Sequence, residues 1–470
     1  MLKEARATTE FESEALNSLA TGLQGDLITP ADAGYDEART IYNAMIDKHP
    51  ALIARCASVA DVIAAVNFGR DQHLDVAIRG GGHNGAGLAL VDDGLVIDLS
   101  PMKGIQVDPD ARTVRVEGGC TWGEVDQATH AFGLAVPSGI ISTTGVGGLT
   151  LGGGLGYLSR KHGLTIDNLL AVDMVLADGR FVTANEHENP DLFWAVRGGG
   201  GNFGVVTSFL FQAHPVGIVY GGPIIWPVDQ AEEILRWYLD FIADAPENIS
   251  GWIGFHRVPT GSPLPPELHG AHGCAIVWCY TGPMEEAEEV FRPIRALGTP
   301  VLDLMGPLPF PQLQSMFDQL YYPPGLQWYW KADFVREVND EAIDLHLKFG
   351  SNLPSELCTM HLYPINGAVQ RVDRTATAFS YRDVTFGQVI VGVDSDPANM
   401  EGIKQWARQY WAALHPYSAG GAYVNMMMEE GQERVEAAYR DNYERLAAVK
   451  YQYDPANLFH VNQNIKPNAG

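Results

Sequence analysis

The segment Arg79-Gly80-Gly81-Gly82-His83-Asn84-Gly85-Ala86-Gly87 places three consecutive glycines directly before an imidazole. Glycines let backbone N–H groups close on a ligand that side chains would otherwise hold away. Two arrangements follow: a phosphate loop with a bystander histidine, or a clearance around a flat cofactor with His83 facing it. A lone histidine is most often structural. Its place at the mouth of a glycine turn between two strands favours the second arrangement.

The letters GxGxxG occur twice, at Gly80, Gly82 and Gly85 and at Gly199, Gly201 and Gly204. A dinucleotide fingerprint needs a strand that turns into a helix whose N-terminus meets the pyrophosphate. Here the first window leads toward GLVIDLS and the second into VVTSFLFQA, both strand-like, so a nicotinamide-binding Rossmann site is excluded. No GK[ST] follows either window, which excludes a Walker loop. A third cluster, Gly145 to Gly156 (GVGGLTLGGGLG), is too glycine-dense for an ordinary helix or strand and is expected to be ligand-facing loop. Three such clusters point to a large, extended cofactor held mostly by backbone.

Other candidate side chains carry equal structural alternatives. Tyr381, Arg382 and Asp383 fit a substrate-facing segment, or the alternation of a half-buried strand. The aromatic run Tyr321 to Lys331 fits the wall of an aromatic or sugar site, or ordinary packing.

Elements able to position these groups alternate along the chain. Ser58 followed by Val62, Ile63 and Val66 predicts a capped amphipathic helix, and LDVAI and GLVIDLS predict strands. IQVDPDARTVRVEGG and LLAVDMVLADGRFVTA predict hairpins. A boundary falls near His214 to Gly222; beyond it AEEILRWYLDFIADAP and EEAEEVFRPIRALG read as helices separated by the strand AHGCAIVWCYTG.

At 470 residues two domains are expected. No uncharged apolar window of about 18 residues is present, and the acid-bearing start MLKEARATTEFESEAL reads as a frayed or surface segment rather than a secretory signal. Thirty-one basic against 57 acidic residues give −26, which disfavours nucleic acid and anionic membranes as partners. Cys56, Cys120, Cys274, Cys279 and Cys358 lack metal-ligand or disulfide spacing, so no metal site is expected and a reducing cytoplasm fits best.

The ordered series IRGGGHN, PSGIISTTGVGGLTLGGGLG, NPDLFWAVRGGGGNFGVVTSF and NYERLAAVKYQYDPANLFHVNQNI resembles the berberine-bridge-enzyme-like, FAD-linked oxidases of the vanillyl-alcohol-oxidase superfamily, and is most similar to compact bacterial members. The resemblance covers about residue 50 to the C-terminus. It implies an α+β fold: a two-lobed PCMH-type FAD-binding domain (46–217), a substrate domain whose antiparallel sheet is covered by helices (218–440), an N-terminal segment (1–45) packing on the FAD domain and a C-terminal segment (441–470) returning to it.

It implies FAD attached through an 8α-histidyl bond to His83, with Arg79, Gly80, Gly81, Gly82 and Asn84 holding the cofactor. Further cofactor contacts carry over to Ser138, Gly139, Thr143, Thr144, Gly145, Gly148, Gly153, Gly154, Asn168, Gly204, Val206, Asn462 and Asn464. Many plant and fungal members add a cysteinyl link four residues before the glycine matching Gly145; Ile141 stands there, so attachment through His83 alone is expected. Thr144 occupies the position that governs oxygen access in the family. The family's Tyr-x-Asn-Tyr base motif reads Tyr423, Val424, Asn425, Met426, and methionine cannot accept a proton. Tyr423 and Asn425 are expected to orient substrate or flavin, and either another group such as Tyr381 or Asp383 takes the proton or the substrate is an amine that needs no strong base. The implied activity is hydride removal from a CH–OH or CH–N carbon of a small alcohol, sugar, phenol or amine, with O2 giving H2O2. The alternatives are a flavin dehydrogenase and a flavin-binding protein with lapsed catalysis.

Overall fold

The computed structural model describes residues 13–262, 264–321 and 323–469. The expectation of a frayed start falls largely on residues 1–12, outside that range, as does Tyr322 of the aromatic run.

Three main sheets build the protein. The first combines β1 (Asp26–Ile28), β2 (Leu52–Arg55), β3 (Val76–Arg79) and β4 (Leu95–Asp98) in the order β1-β2-β4-β3. β4 runs parallel to both β2 and β3. The crossover from β2 to β3 is the predicted helix α1 (Val59–Asp71), which Ser58 caps by accepting a bond from the Asp61 N–H, while Val62, Ala65 and Val66 bury its inner stripe.

The second sheet contains β5 (Ile105–Asp108), β6 (Thr113–Glu117), β7 (Leu169–Val175), β8 (Phe181–Asn185) and β9 (Val205–Gln212), in the order β5-β6-β9-β7-β8. Both predicted hairpins are present. β9 starts immediately after Gly204, whose φ of +156° suits glycine. The residue run after the second GxGxxG window is therefore strand.

The third sheet joins β10 (Ile218–Pro227), β11 (Ile249–Arg257), β12 (His272–Tyr280), β13 (Leu302–Asp303), β14 (Gly306–Pro309), β15 (Gln327–Val335), β16 (Thr359–Pro364) and β17 (Phe386–Asp394). Its order is β13-β10-β12-β11-β16-β17-β15, with β14 also on β10, and every pairing is antiparallel. One face lies under helices. On the helix spanning Ala231–Asp244, Ile234, Leu235, Tyr238 and Ile242 pack with Ile253, Phe255, Met360, Leu362 and Ile390 of the sheet. Period-two alternation sends the intervening residues, among them Trp252, Trp328, Tyr363, Val389 and Val391, into the core shared with the first half of the chain. With both faces covered, β17 is buried along almost its whole length.

One buried carboxyl in this shared core yields a pH prediction. Asp126, on the helix Trp122–His130, is buried, with Gln314 Nε2 at 3.4 Å from Oδ2. Desolvation pushes its pKa up to about 8. The folded protein thus keeps a proton that the unfolded chain releases near the ordinary aspartate value of 3.8, so this group's contribution declines as pH rises between those values. Asp126→Asn is expected to flatten that decline, raising the melting temperature at the alkaline end by a few degrees relative to wild type, on the order of 2–4 °C per kcal/mol. Parallel melting-temperature profiles for the two proteins would refute the assignment.

Candidate active site

The glycine–histidine segment leaves the carboxyl end of β3, where open parallel sheets present ligand sites. Arg79, the last residue of β3, pairs in register with Asp98 at the end of β4, and its Nη2 lies 2.6 Å from Asp98 Oδ2. The same guanidinium donates to the Ala38 carbonyl. Arg79 therefore locks the strand ends and is absent from the cavity wall, in contrast to the cofactor contact expected for it.

Beyond it, Gly81 meets Gly145. A Cβ on Gly81 would sit 2.4 Å from Gly145 N and 2.5 Å from its Cα, and a Cβ on Gly145 would sit 2.4 Å from Gly81 N. Two glycine clusters distant in sequence thus touch backbone to backbone, a contact closed to any other residue pair. His83 follows, its ring stacked on Tyr42 at 4.9 Å and 12° and its Nε2 3.0 Å from Thr143 Oγ1. Surrounding protein strips solvent from the imidazole and brings its pKa down to about 4, so the ring is neutral. Tyr42 is placed by its neighbour Asn43, which donates to the Gly85 and Trp328 carbonyls and accepts from the Trp328 N–H, tying the histidine turn to β15.

The third glycine cluster corrects an expectation. Val146–Gly152 is a helix, with Gly145 as its N-cap residue. The glycine at its C-terminal end, Gly152, is there for a tertiary reason that outweighs its poor helix propensity. A Cβ on Gly152 would lie 2.1 Å from Asn425 Oδ1. Asn425 Nδ2 donates to the Leu149 carbonyl at 3.0 Å, one of the helix's orphan C-terminal acceptors, and to Tyr423 Oη at 2.8 Å. Tyr423 Oη also accepts from Gly154 N at 2.7 Å. Burial pushes the Tyr423 phenol up to about 12. Tyr423 and Asn425 therefore line the cavity as a pin on this helix end.

Around these segments lies a cavity of about 320 Å³, at the lower end of the roughly 300–1,000 Å³ typical of small-molecule sites. Gly80, Gly81, Gly82, His83, Asn84, Gly139, Thr144, Gly145, Gly148, Gly204, Val206 and Asn462 all line it, as do Ile141 and Met426. Thr143 reaches it only through His83. The other expected cofactor residues hold the frame and are not in the wall. Ser138 Oγ accepts from Gln314, and Asn168 donates to the His162 and Leu164 carbonyls. Asn464 accepts at its carbonyl from Gln432, while Gly153 and Gly154 form the turn beneath Tyr423.

The suggested replacement bases are also elsewhere. Tyr381 Oη donates to the Ala437 carbonyl and its ring is sandwiched between Phe334 and the Arg440 guanidinium. Asp383 is half-exposed and pairs with Arg440 at 2.5 Å and Arg336 at 2.9 Å. Desolvation raises its pKa, but those two hydrogen bonds outweigh it and leave the value at about 2. Neither residue is in the cavity wall. Arg382, between them, makes a bidentate pair with Asp167.

The opposite wall was only partly foreseen. The inner face of the third sheet contributes Trp252 of β11, Trp328 and Trp330 of β15, Thr359, His361 and Tyr363 of β16 and Val389 and Val391 of β17. Of these, only the two tryptophans of β15 belong to a segment singled out in the sequence. The alternation of TMHLYP, with polar or aromatic side chains at every second position between Met360 and Leu362, was the available signal. Among the described residues, no Asp, Glu, Lys or Arg lines the cavity. An extended anionic cofactor there meets backbone N–H groups and glycine clearance, which fits FAD, whose flat ring system needs such apolar walls. None of the described helices is long and apolar enough to cross a membrane.

Comparison with known proteins agrees with that fit. Residues 50–185 match the FAD binding domain family, and residues 422–466 match the berberine and berberine-like family. The chain is 33% identical to an FAD-linked oxidoreductase of Dictyostelium discoideum, with 97% of each chain covered. It is 30% identical to (R)-6-hydroxynicotine oxidase of Paenarthrobacter nicotinovorans, over 96% of this chain and 99% of the relative. The crystal structure of 6-hydroxy-D-nicotine oxidase from Arthrobacter nicotinovorans superposes with a TM-score of 0.85 at 29% identity, covering 95% of this chain and 98% of that one. A berberine-like C-terminal segment bearing Tyr423 and Asn425, an FAD-binding glycine framework around His83 and near-complete overlap with FAD-linked oxidoreductases lead to one assignment: the chain belongs to the berberine-bridge-enzyme-like family and is an FAD-dependent oxidoreductase.

Proposed function

We propose that this enzyme is an oxidase that removes a hydride from a CH–OH or CH–N carbon of a small, uncharged or weakly charged ring compound, passing the electrons to O2 with H2O2 as product. The observation that carries the reading is the uncharged cavity between the glycine framework and the aromatic inner face of the third sheet. FAD supplies the two-electron acceptor. Residues 46–217 form the cofactor unit and 218–440 the substrate unit in this reading, with 1–45 and 441–470 closing on the cofactor unit. His83 is the sole covalent anchor. Gly80, Gly81, Gly82, Asn84, Gly139, Thr144, Gly145, Gly148, Gly204, Val206 and Asn462 hold the cofactor. Trp252, Trp328 and Trp330 position the substrate ring by stacking and exclude water from the reacting carbon. The similarity to a hydroxynicotine oxidase supports amines within the substrate range, for which a strong base is dispensable.

The test is an anaerobic screen of alcohols, sugars, phenols and amines for loss of the oxidised flavin absorbance, followed by air and peroxide detection. Bleaching by at least one class and rapid recovery with stoichiometric peroxide are expected. Slow recovery in air replaces the oxidase with a dehydrogenase, and no bleaching across the panel removes the hydride-transfer reading altogether.

A further inference from the structure

Oxidation of an alcohol or protonated amine releases a proton as well as a hydride, and Met426 leaves the family's terminal tyrosine position unable to take it. The uncharged lining narrows the choice to His83, His361, Tyr363, Tyr423 and Tyr439. His83 is assigned to the cofactor. Tyr423 already accepts two N–H bonds and its phenol stands at about 12; burial pushes Tyr439 up as well.

The remaining two form a pair. His361 and Tyr363 are two apart on β16 and share its cavity face, with Tyr363 Oη 2.6 Å from His361 Nδ1. Across the sheet, Gly254 of β11 is in register with His361, and a Cβ there would lie 2.6 Å from His361 Cδ2. The missing side chain is what makes room for the imidazole. His361 Nε2 is buried and has no protein partner among the described residues, an unusual state for a polar atom unless a ligand meets it. The groups packed around the ring are Trp252 at 4.5 Å and His256 at 5.0 Å from β11, with apolar Val389 in register on β17.

We propose that Tyr363 is the proton acceptor of this site, with His361 as its positioning and relay partner; this rests on the oxidase reading above. As the C–H hydrogen leaves with its electron pair, for which bound FAD would be the acceptor, the substrate O–H or N–H proton passes to Tyr363 Oη. The Tyr363 proton moves to His361 Nδ1, leaving a carbonyl or imine product and an imidazolium that later returns its proton to solvent. Burial, then the neighbouring His256, holds the His361 pKa well below 6.5, so the ring is neutral near pH 7, and the relay uses the tautomer in which Nδ1 accepts from Tyr363 Oη. The acceptor need not be strongly basic, because a hydroxyl on a carbon losing hydride becomes acidic as the bond breaks.

Rapid-mixing anaerobic bleaching with a substrate from the screen tests this. Wild type is expected to show a solvent deuterium isotope effect on bleaching; Tyr363→Phe is expected to abolish it and to slow bleaching by about 10²-fold or more, with substrate affinity changed far less. His361→Gln, which keeps an acceptor at the same place, should retain part of the rate and lose the fall in rate at low pH that is expected of wild type. An independent readout is nitrogen NMR of the resting, substrate-free enzyme. His361 should be neutral near pH 7 with Nδ1 unprotonated, and its Nδ1 resonance should move in Tyr363→Phe. Tyr363→Phe bleaching at the wild-type rate, or a resting His361 protonated at Nδ1, overturns the pair while leaving the oxidase reading intact. If no compound bleaches wild type, the oxidase reading fails instead, and the pair falls with it as a catalytic device.

Discussion

His83→Ala is expected to release all of its flavin on acid precipitation, whereas the wild-type pellet stays yellow and fluorescent. The imidazole is held between the Tyr42 ring and the Thr143 hydroxyl, and its pKa of about 4 keeps it neutral at physiological pH. A neutral ring in a fixed pose is what addition to the electrophilic 8α position of the flavin requires. Ile141, which lines the cavity, stands where the resemblance would place a cysteinyl link, and its side chain has no thiol to form one. Cys120 is buried beside the Met102 and Gly104 carbonyls, and desolvation pushes its thiol up to about 12. The variant should still bind FAD through the glycine framework, with loss of the covalent fraction complete rather than partial. Wild-type protein that gives up its flavin on denaturation would remove His83 from this role.

Gly81→Ala is expected to have the largest structural effect of any single methyl group in the site. The new Cβ would overlap Gly145 N and Cα, and backbone cannot rotate away as a side chain does. Overpacking of this kind costs about 1–3 kcal/mol, and a rigid backbone neighbour places it at the upper end. Flavin loading should drop to a trace and the melting temperature should fall. Gly148→Ala is the informative control, because among the described residues nothing outside its own helix lies within 4 Å of that Cβ. Its helix position gains up to about 1 kcal/mol from alanine, so flavin-free protein should be as stable or more so. If flavin occupies the space beside Gly148, loading falls without loss of fold. Equal loading of Gly81→Ala and wild type would mean that the two glycine segments do not jointly form the cradle.

Much of the framework is legible because it depends on local pattern. The capped helix after Ser58, the Asp-Gly hairpin of β7 and β8, and the strand after Gly204 each follow from residues within one or two turns of chain. The glycine clusters are legible for the same reason: nothing but close backbone approach explains them at that density. What they approach is not local. Gly145 faces Gly81 and Gly152 faces Asn425, so a helix forms where propensity argues against one.

The wall formed by the third sheet is harder to read from the sequence. Tyr381 and Asp383 looked apt by residue type, yet Ala437, Arg440 and Arg336 claim them outside the cavity. His361 and Tyr363 look ordinary in the sequence, yet strand register sets His361 opposite the vacancy left by Gly254, with Tyr363 two residues on along the same face. The cofactor class was readable from the chain alone, and so were the positions of His83 and Met426 within the spaced motifs, because these depend only on residue identity at each motif. That Arg79 is a strand lock and that a Tyr–His pair faces the cavity emerges from the fold, because both depend on which strand lies beside which and on which face each residue falls.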